Sequence, residues 1–126
     1  MRVRPDVADR IYALVRHVQF GEVASYGMIA SLLPGVTARM VGTAMSGAPQ
    51  DVPWQRIINS GGKISDRDGA DRQRLRLEEE GVSFSPSGRI SWKQHGWAGP
   101  SDDWLASVGL EIPEYLAITQ AWPGRR

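Results

Sequence analysis

Apolar residues recur at helical spacing in several stretches of the chain. Val7, Ile11, Leu14, Val15 and Val18 fall at i, i+4, i+7, i+8 and i+11, which predicts a helix over 6–18 with one buried stripe. Pro5 and Asp6 suit its start, and Gly21 suits its end. Ser25 is placed to cap a second helix running to Leu33, with Ile29, Leu32 and Leu33 inward and Pro34-Gly35 as its stop. Thr37 caps a third helix through Ser46, closed by Gly47, whose inward face is Val41, Ala44 and Met45. Asp71 is the predicted cap of a fourth helix to Glu80, with Gly81 behind it. Between the third and fourth helices, Ile57-Ile58 suits a short buried strand and 59–62 a turn. Pro53 biases Val52 toward extended geometry. Residues 82–84 and 89–92, on either side of Pro86-Ser87-Gly88, read as a small hairpin or wing. From Gln94 onward Trp97, Trp104 and Trp122 stand among Gly, Pro and Asp, which reads as a packed but irregular tail. The expected class is mainly α with small β elements, a winged helix-turn-helix-like domain over 1–93. A tail over 94–126 packs on that domain or extends it.

The second and third helices, joined by a short turn containing glycine, have the form of a helix-turn-helix. Most such pairs bind nothing, so the outward face of the third helix carries the weight. It presents Arg39, Gly42, Thr43 and Ser46 at i, i+3, i+4 and i+7, one arginine on a bed of small residues. A solvated face ordinarily carries several long charged side chains. A transcriptional regulator that reads base edges in the major groove would also need long polar residues there. Small residues instead allow close approach to another surface, with Arg39 projecting as a probe. The bland reading of Arg39 is a stray surface charge. For Trp54, on the stiff corner after Pro53, the bland reading is an ordinary core aromatic. Asp66 and Asp68 leave room for an enzyme of unrelated chemistry, although nothing else in the chain marks them as catalytic.

Composition removes several classes. With 126 residues, 41% hydrophobic and 23% charged, the chain is an ordinary globular domain. No apolar run is long enough to span a bilayer and no signal-peptide pattern opens the sequence, so a cytoplasmic protein without a membrane partner is expected. There is no cysteine, which removes disulfides, thiolate metal sites and a cysteine nucleophile. Two separated histidines, His17 and His95, argue against a metal site or a histidine-based catalytic centre. Net charge is only +1, but residues 1–97 hold thirteen Lys and Arg against ten Asp and Glu. A weakly basic body is compatible with nucleic acid and does not require it.

Four segments together carry a specific resemblance: Ser25-Tyr26-Gly27, Thr37-Ala38-Arg39-Met40-Val41-Gly42-Thr43-Ala44-Met45, Pro53-Trp54-Gln55-Arg56-Ile57-Ile58 and Leu77-Glu78-Glu79-Glu80-Gly81. Their order and spacing resemble the DNA-binding C-terminal domain of the O6-alkylguanine-DNA alkyltransferases, over roughly residues 5–92. The family's active site reads Pro-Cys-His-Arg: the cysteine takes the alkyl group, the histidine activates it through water, and a glutamate orients the histidine. Here Trp54 stands at the cysteine position and Gln55 at the histidine position. Glu80 stands at the glutamate position, with nothing basic expected for it to orient. An indole is no nucleophile at neutral pH and an amide is no general base. The pattern is similar to the alkyltransferase-like branch, which binds alkylated guanine without repairing it and flags it for nucleotide-excision repair. Most of that branch carries histidine after the tryptophan, and Gln55 departs from this.

The resemblance implies a role for each matched position. Arg39 would enter the duplex from the minor groove and fill the gap left by the extruded guanine. Tyr26 would pack by the target nucleotide, and Trp54 would floor the lesion pocket. Arg67 would lie over the flipped base, with Ser65 and the backbone around Ile57 lining the same loop. Ala38 and Gly42 would let the recognition helix sit close in the groove, where Met40 departs from the usual small residue. Ser25, Thr37 and Arg56 would complete the DNA-binding set. The implied partners are double-stranded DNA containing O6-alkylguanine and nucleotide-excision repair proteins. The implied form is a monomer that is no enzyme and needs no cofactor, nucleoid-associated in a bacterium or nuclear in a eukaryote.

Overall fold

The computed structural model describes residues 2–124. Helix α1 (Pro5–Val15) carries its proline in the first turn, where a missing N–H is harmless, and buries Ile11, Leu14 and Val15. The stripe continues through Val18, also fully buried, although the last predicted turn has left the helix. Strand β1 (Ala24–Ser25) leads directly into α2 (Tyr26–Ser31), whose cap is Ser25. Its Oγ accepts from the Met28 amide at 3.0 Å. Helix α3 (Ala38–Ser46) is capped by Thr37, whose Oγ1 accepts from the Met40 amide at 3.2 Å. Val41, Ala44 and Met45 point inward as their spacing predicts.

Strand β2 (Ile57–Ile58) pairs in parallel with β1, placing Ala24 opposite Ile57 and Ser25 opposite Ile58. Side chains alternate across this small ribbon, which therefore divides the interior. Ala24 and Ile57 face the larger cluster formed with α1, α2 and α3. Val23 and Ile58 face a smaller one with Leu77, Val82 and Ile90. The Val23 backbone is tied to the later chain as well, accepting from the Trp97 amide and donating to the His95 carbonyl, both at 2.8 Å.

Helix α4 (Ala70–Glu79) begins before the predicted Asp71 cap. Its N-cap is Gly69 at φ 90°, a left-handed conformation that costs glycine nothing. Asp71 instead lies in the first turn, where its charge complements the helix dipole. The hairpin drawn at 82–92 is not a pair of strands. Its tip closes through the Ser85 amide to the Arg89 carbonyl at 2.9 Å, but Ile90 donates to the Gly62 carbonyl at 2.8 Å instead of back across the turn. The 59–62 turn thus takes the hydrogen bond that a second hairpin strand would have used.

The tail is helical, not irregular. Helices α5 (Trp92–His95), α6 (Asp102–Ser107) and α7 (Ile112–Thr119) were hidden because each is too short to display a helical period. Ser91 and Ser101 cap α5 and α6, and Pro113 opens α7. Trp97 and Trp122 join the larger core and stack with ring centroids 5.6 Å apart. Their indole N–H groups donate to the His17 carbonyl at 3.1 Å and to Ser31 Oγ at 3.0 Å. Both ends of the tail are therefore seated on the first part of the chain, one on the turn that follows α1 and the other on α2. No helix among the described residues is long and apolar enough to cross a membrane.

Candidate functional site

The Pro53-Trp54 corner is held by backbone geometry. Pro53 sits at φ −77° and ψ 65°, and the Trp54 amide reaches back to the Val52 carbonyl at 2.8 Å. A single 3-10 turn, Trp54–Arg56, follows and delivers the chain into β2. This turn is pinned from behind by Gln73, a fully buried polar side chain in the middle of α4. Its Nε2 donates to the carbonyls of Gln55 (3.1 Å) and Ile57 (2.9 Å), and its Oε1 accepts from Arg67 at 2.8 Å. One amide therefore fixes the tryptophan turn and the 66–69 loop relative to one another. Gln73 was not singled out in the sequence. The available signal was a polar residue four positions before buried Leu77, hence on the inward face of its helix.

Beside the turn is a cavity of about 240 Å³ lined by Met45, Ser46, Ala48, Trp54, Arg67, Asp68, Gly69 and Arg72. Trp54 is half-buried at its wall, and both Arg72 and Arg76 place their guanidinium carbons 5.5 Å from its ring centroid. These arginines are one helical turn apart on α4, so one indole receives two cation–π contacts. Of the pocket residues expected from sequence, the structure brings Trp54 and Arg67 to this cavity. Tyr26 and Ser65 are not among its lining residues. Arg72 is an addition, visible in sequence only as the partner of Arg76 at i, i+4.

Behind Trp54 the site is polar and its side chains are paired with one another. Gln55 is buried and donates from Nε2 to Glu80 Oε2 at 2.9 Å. Glu80 Oε1 accepts from Arg56 Nε and from the Gly21 amide, each at 2.9 Å. Glu80 was expected to have nothing basic to orient, and what it holds is an amide and a guanidinium, neither of which accepts a proton at neutral pH. The Arg56 guanidinium folds back to form an ion pair with it, with side-chain exposures of 16% and 6%. Burial raises the Glu80 pKa, but the hydrogen bonds from Arg56, the Gly21 amide and Gln55, with the arginine charge, outweigh this and hold the carboxyl below its usual range. Arg56 also donates to the Val18 carbonyl at 2.9 Å and lies over the Phe20 ring. Its side chain is thus engaged within the fold, and so is the buried hydroxyl of Ser25 at the α2 cap.

On the other side, α3 presents Thr37, Ala38, Arg39 and Ser46 as exposed positions, with Gly42 and Thr43 half-buried between them. Thr43 Oγ1 donates to the Arg39 carbonyl and Ser46 Oγ to the Thr43 carbonyl, so these hydroxyls are turned onto their own helix. The Arg39 guanidinium has no hydrogen-bond or ion-pair partner among the described residues. The Tyr26 ring lies against Gly42, where an added Cβ would meet Cδ1 and Cε1 at 3.9 Å. Tyr12 donates to the Ala44 carbonyl at 2.9 Å and braces α3 against α1. Among the described residues no group of acidic or histidine side chains could hold a metal ion. Asp66 and Asp68 are exposed, and neither makes a side-chain hydrogen bond or ion pair there.

The fold that carries this arrangement has known relatives. Residues 6–82 match the family model described as the 6-O-methylguanine DNA methyltransferase DNA-binding domain. Alkyltransferase-like protein 1 of Schizosaccharomyces pombe is 46% identical over 114 residues, 85% of this chain and 90% of that protein. A DNA base-flipping protein of Vibrio parahaemolyticus is 42% identical over 94 residues, 70% of this chain and 92% of that protein. Among solved structures, S. pombe Atl1 in complex with damaged DNA containing O6-carboxymethylguanine superposes with a TM-score of 0.65 at 38% identity. It covers 77% of this chain and 98% of its own. The O6-methylguanine methyltransferase of Mycobacterium tuberculosis gives a TM-score of 0.54 at 35% identity, covering 62% of this chain and 50% of its own.

Proposed function

The chain belongs to the O6-alkylguanine-DNA alkyltransferase family through its DNA-binding domain, and from that premise we propose that it reads O6-alkylguanine without repairing it. In this reading α3 docks in the minor groove of duplex DNA, the modified guanine is turned out into the cavity beside Trp54, and its alkyl group stays in place. The relatives that support it are DNA base-flipping and alkyltransferase-like proteins, one of them solved on damaged DNA.

The observation that carries the proposal is the Trp54-Gln55-Glu80 arrangement. The indole occupies the wall of the cavity, and the group that follows it is a buried amide held by a carboxylate. Neither can attack an O6 alkyl carbon or take a proton from a nucleophile at neutral pH. What remains suits binding. Extruding a base costs a few kcal/mol. Stacking on an aromatic or guanidinium face returns about 1–3 kcal/mol per base. Arg39, without a hydrogen-bond or ion-pair partner among the described residues, is available to occupy the vacated stack. A protein with net charge +1 has little electrostatic hold on undamaged duplex, so preference rests with the pocket.

Duplexes that differ only by guanine or O6-methylguanine test this, with anisotropy for binding and mass analysis of the recovered DNA. Tighter binding to the modified duplex in several sequence contexts, with the methyl group retained, is expected. Equal affinity for both would sink the proposal, and loss of the methyl group or the base would make the protein an enzyme. We further propose that the bound monomer flags the lesion for nucleotide-excision repair, in the nucleoid or nucleus. Addition of the protein should then raise the rate of incision by a purified excision nuclease on the O6-methylguanine duplex, and an unchanged rate would remove that role.

A further inference from the structure

Resting on the reading of the Trp54 cavity as the adduct pocket, the geometry points to Arg72 as a selector of O6 substituents that end in an anion, such as a carboxylate, over neutral substituents of the same shape. Arg72 belongs both to the cavity and to the indole: it lines the former and places Cζ 5.5 Å from the centroid of the latter. A substituent lying on the Trp54 wall therefore sits beside a guanidinium already held against the same ring.

The neighbouring charges are not equivalent. Arg67 also lines the cavity, but one of its terminal nitrogens is committed to Gln73 at 2.8 Å. Arg76 also contacts the Trp54 ring, with Cζ 5.5 Å from its centroid, but does not line this cavity. Arg72 has no hydrogen-bond or ion-pair partner among the described residues, so all its donors remain available. Asp68 is the one carboxylate lining the cavity, and an anionic substituent must face it. Two guanidinium groups against one carboxylate leave the lining with a positive excess, and a guanidinium binds a carboxylate through two parallel N–H bonds.

The test compares three duplexes: guanine, O6-carboxymethylguanine, and O6-carbamoylmethylguanine, the neutral near-isostere of the second. The quantity read is the ratio of the two adduct affinities. The unaltered protein is expected to favour carboxymethyl by about two- to fivefold, the range of a well-placed but solvent-accessible charge pair. In Arg72→Gln the ratio should fall toward one, whatever happens to affinity overall. In Asp68→Asn it should rise. A ratio of one in the unaltered protein, or a ratio that Arg72→Gln leaves unchanged, overturns the assignment while lesion reading stands. Equal affinity for all three duplexes overturns lesion reading and the assignment together.

Discussion

Gln55 donates a hydrogen bond from Nε2 to Oε2 of Glu80 at 2.9 Å. The pairing keeps a geometry in which Glu80 holds the residue after position 54, but the held group is an amide that cannot accept a proton at neutral pH. The carboxylate is itself further occupied by Arg56 and the Gly21 amide. What the resemblance identifies as an activating relay is here a structural joint between the Trp54 turn and the end of α4.

Restoring the nucleophile alone should therefore fail. Trp54→Cys is expected not to take up methyl groups rapidly and stoichiometrically from O6-methylguanine DNA, because nothing adjacent activates the thiol. The double change Trp54→Cys with Gln55→His places an imidazole within reach of Glu80 and should transfer faster than the single variant. Mass measurement of the intact protein after incubation with modified duplex decides between them. Fast transfer by Trp54→Cys alone would show that Gln55 is not the limiting defect.

The same joint sets an acid limit on stability. The Glu80 pKa is lower in the folded protein than its unperturbed value of 4.5. Its contribution is therefore fully present above the unfolded value and is lost as pH falls through the lower, folded value. Unfolding midpoints in denaturant measured from pH 7 down to 3 should decline in the unaltered protein over the acid end of that range. Glu80→Gln should start lower and decline less. Glu80→Ala, which removes the acceptor from Arg56, Gln55 and Gly21 together, should cost about 3 kcal/mol at pH 7. Parallel pH profiles for the unaltered protein and Glu80→Gln would contradict the assignment.

Arg39 should separate lesion preference from stability. It is exposed on α3 and has no hydrogen-bond or ion-pair partner among the described residues, so Arg39→Ala should leave the unfolding free energy within about 0.5 kcal/mol. Most of the preference for the O6-methylguanine duplex should disappear, because the extruded state loses the side chain that fills the stack. An Arg39→Ala variant with unchanged preference in anisotropy titrations would assign the filling role elsewhere.

The helices that frame the site were legible because each announces itself locally. Val41, Ala44 and Met45 recur at helical spacing, and Ser25 and Thr37 are caps whose hydroxyls satisfy amides three residues away. Trp54 and Arg67 could be placed together only through the motif, since thirteen positions separate them. The missed features are those whose cause is distant in sequence. Gln73 reads as one more polar residue in a charged helix until its bonds to Gln55, Ile57 and Arg67 are seen. The supposed hairpin strand at Ile90 went to Gly62 because a neighbouring turn supplied the acceptor. The tail helices escaped because six or eight residues cannot display a period, while their anchor, the Trp97–Trp122 stack, joins positions 25 residues apart in the chain.

Gly42 offers the most discriminating substitution on α3, the proposed recognition helix. An added Cβ would meet the Tyr26 ring at 3.9 Å, ordinary van der Waals contact that requires no movement. Within a helix, glycine is less favourable than alanine by roughly 0.5–1 kcal/mol. Gly42→Ala should therefore raise the thermal or denaturant midpoint slightly, the opposite of what a packing glycine would give. On the outward side the same methyl group adds bulk where α3 is proposed to lie close against the minor-groove walls. Affinity for the modified duplex should fall, by about five- to tenfold for a loss of about 1 kcal/mol or slightly more. The two measurements must move in opposite directions for the close-approach role to hold. Destabilisation would instead make Gly42 a packing residue, and unchanged affinity in a stabilised variant would place the DNA surface away from this turn of α3.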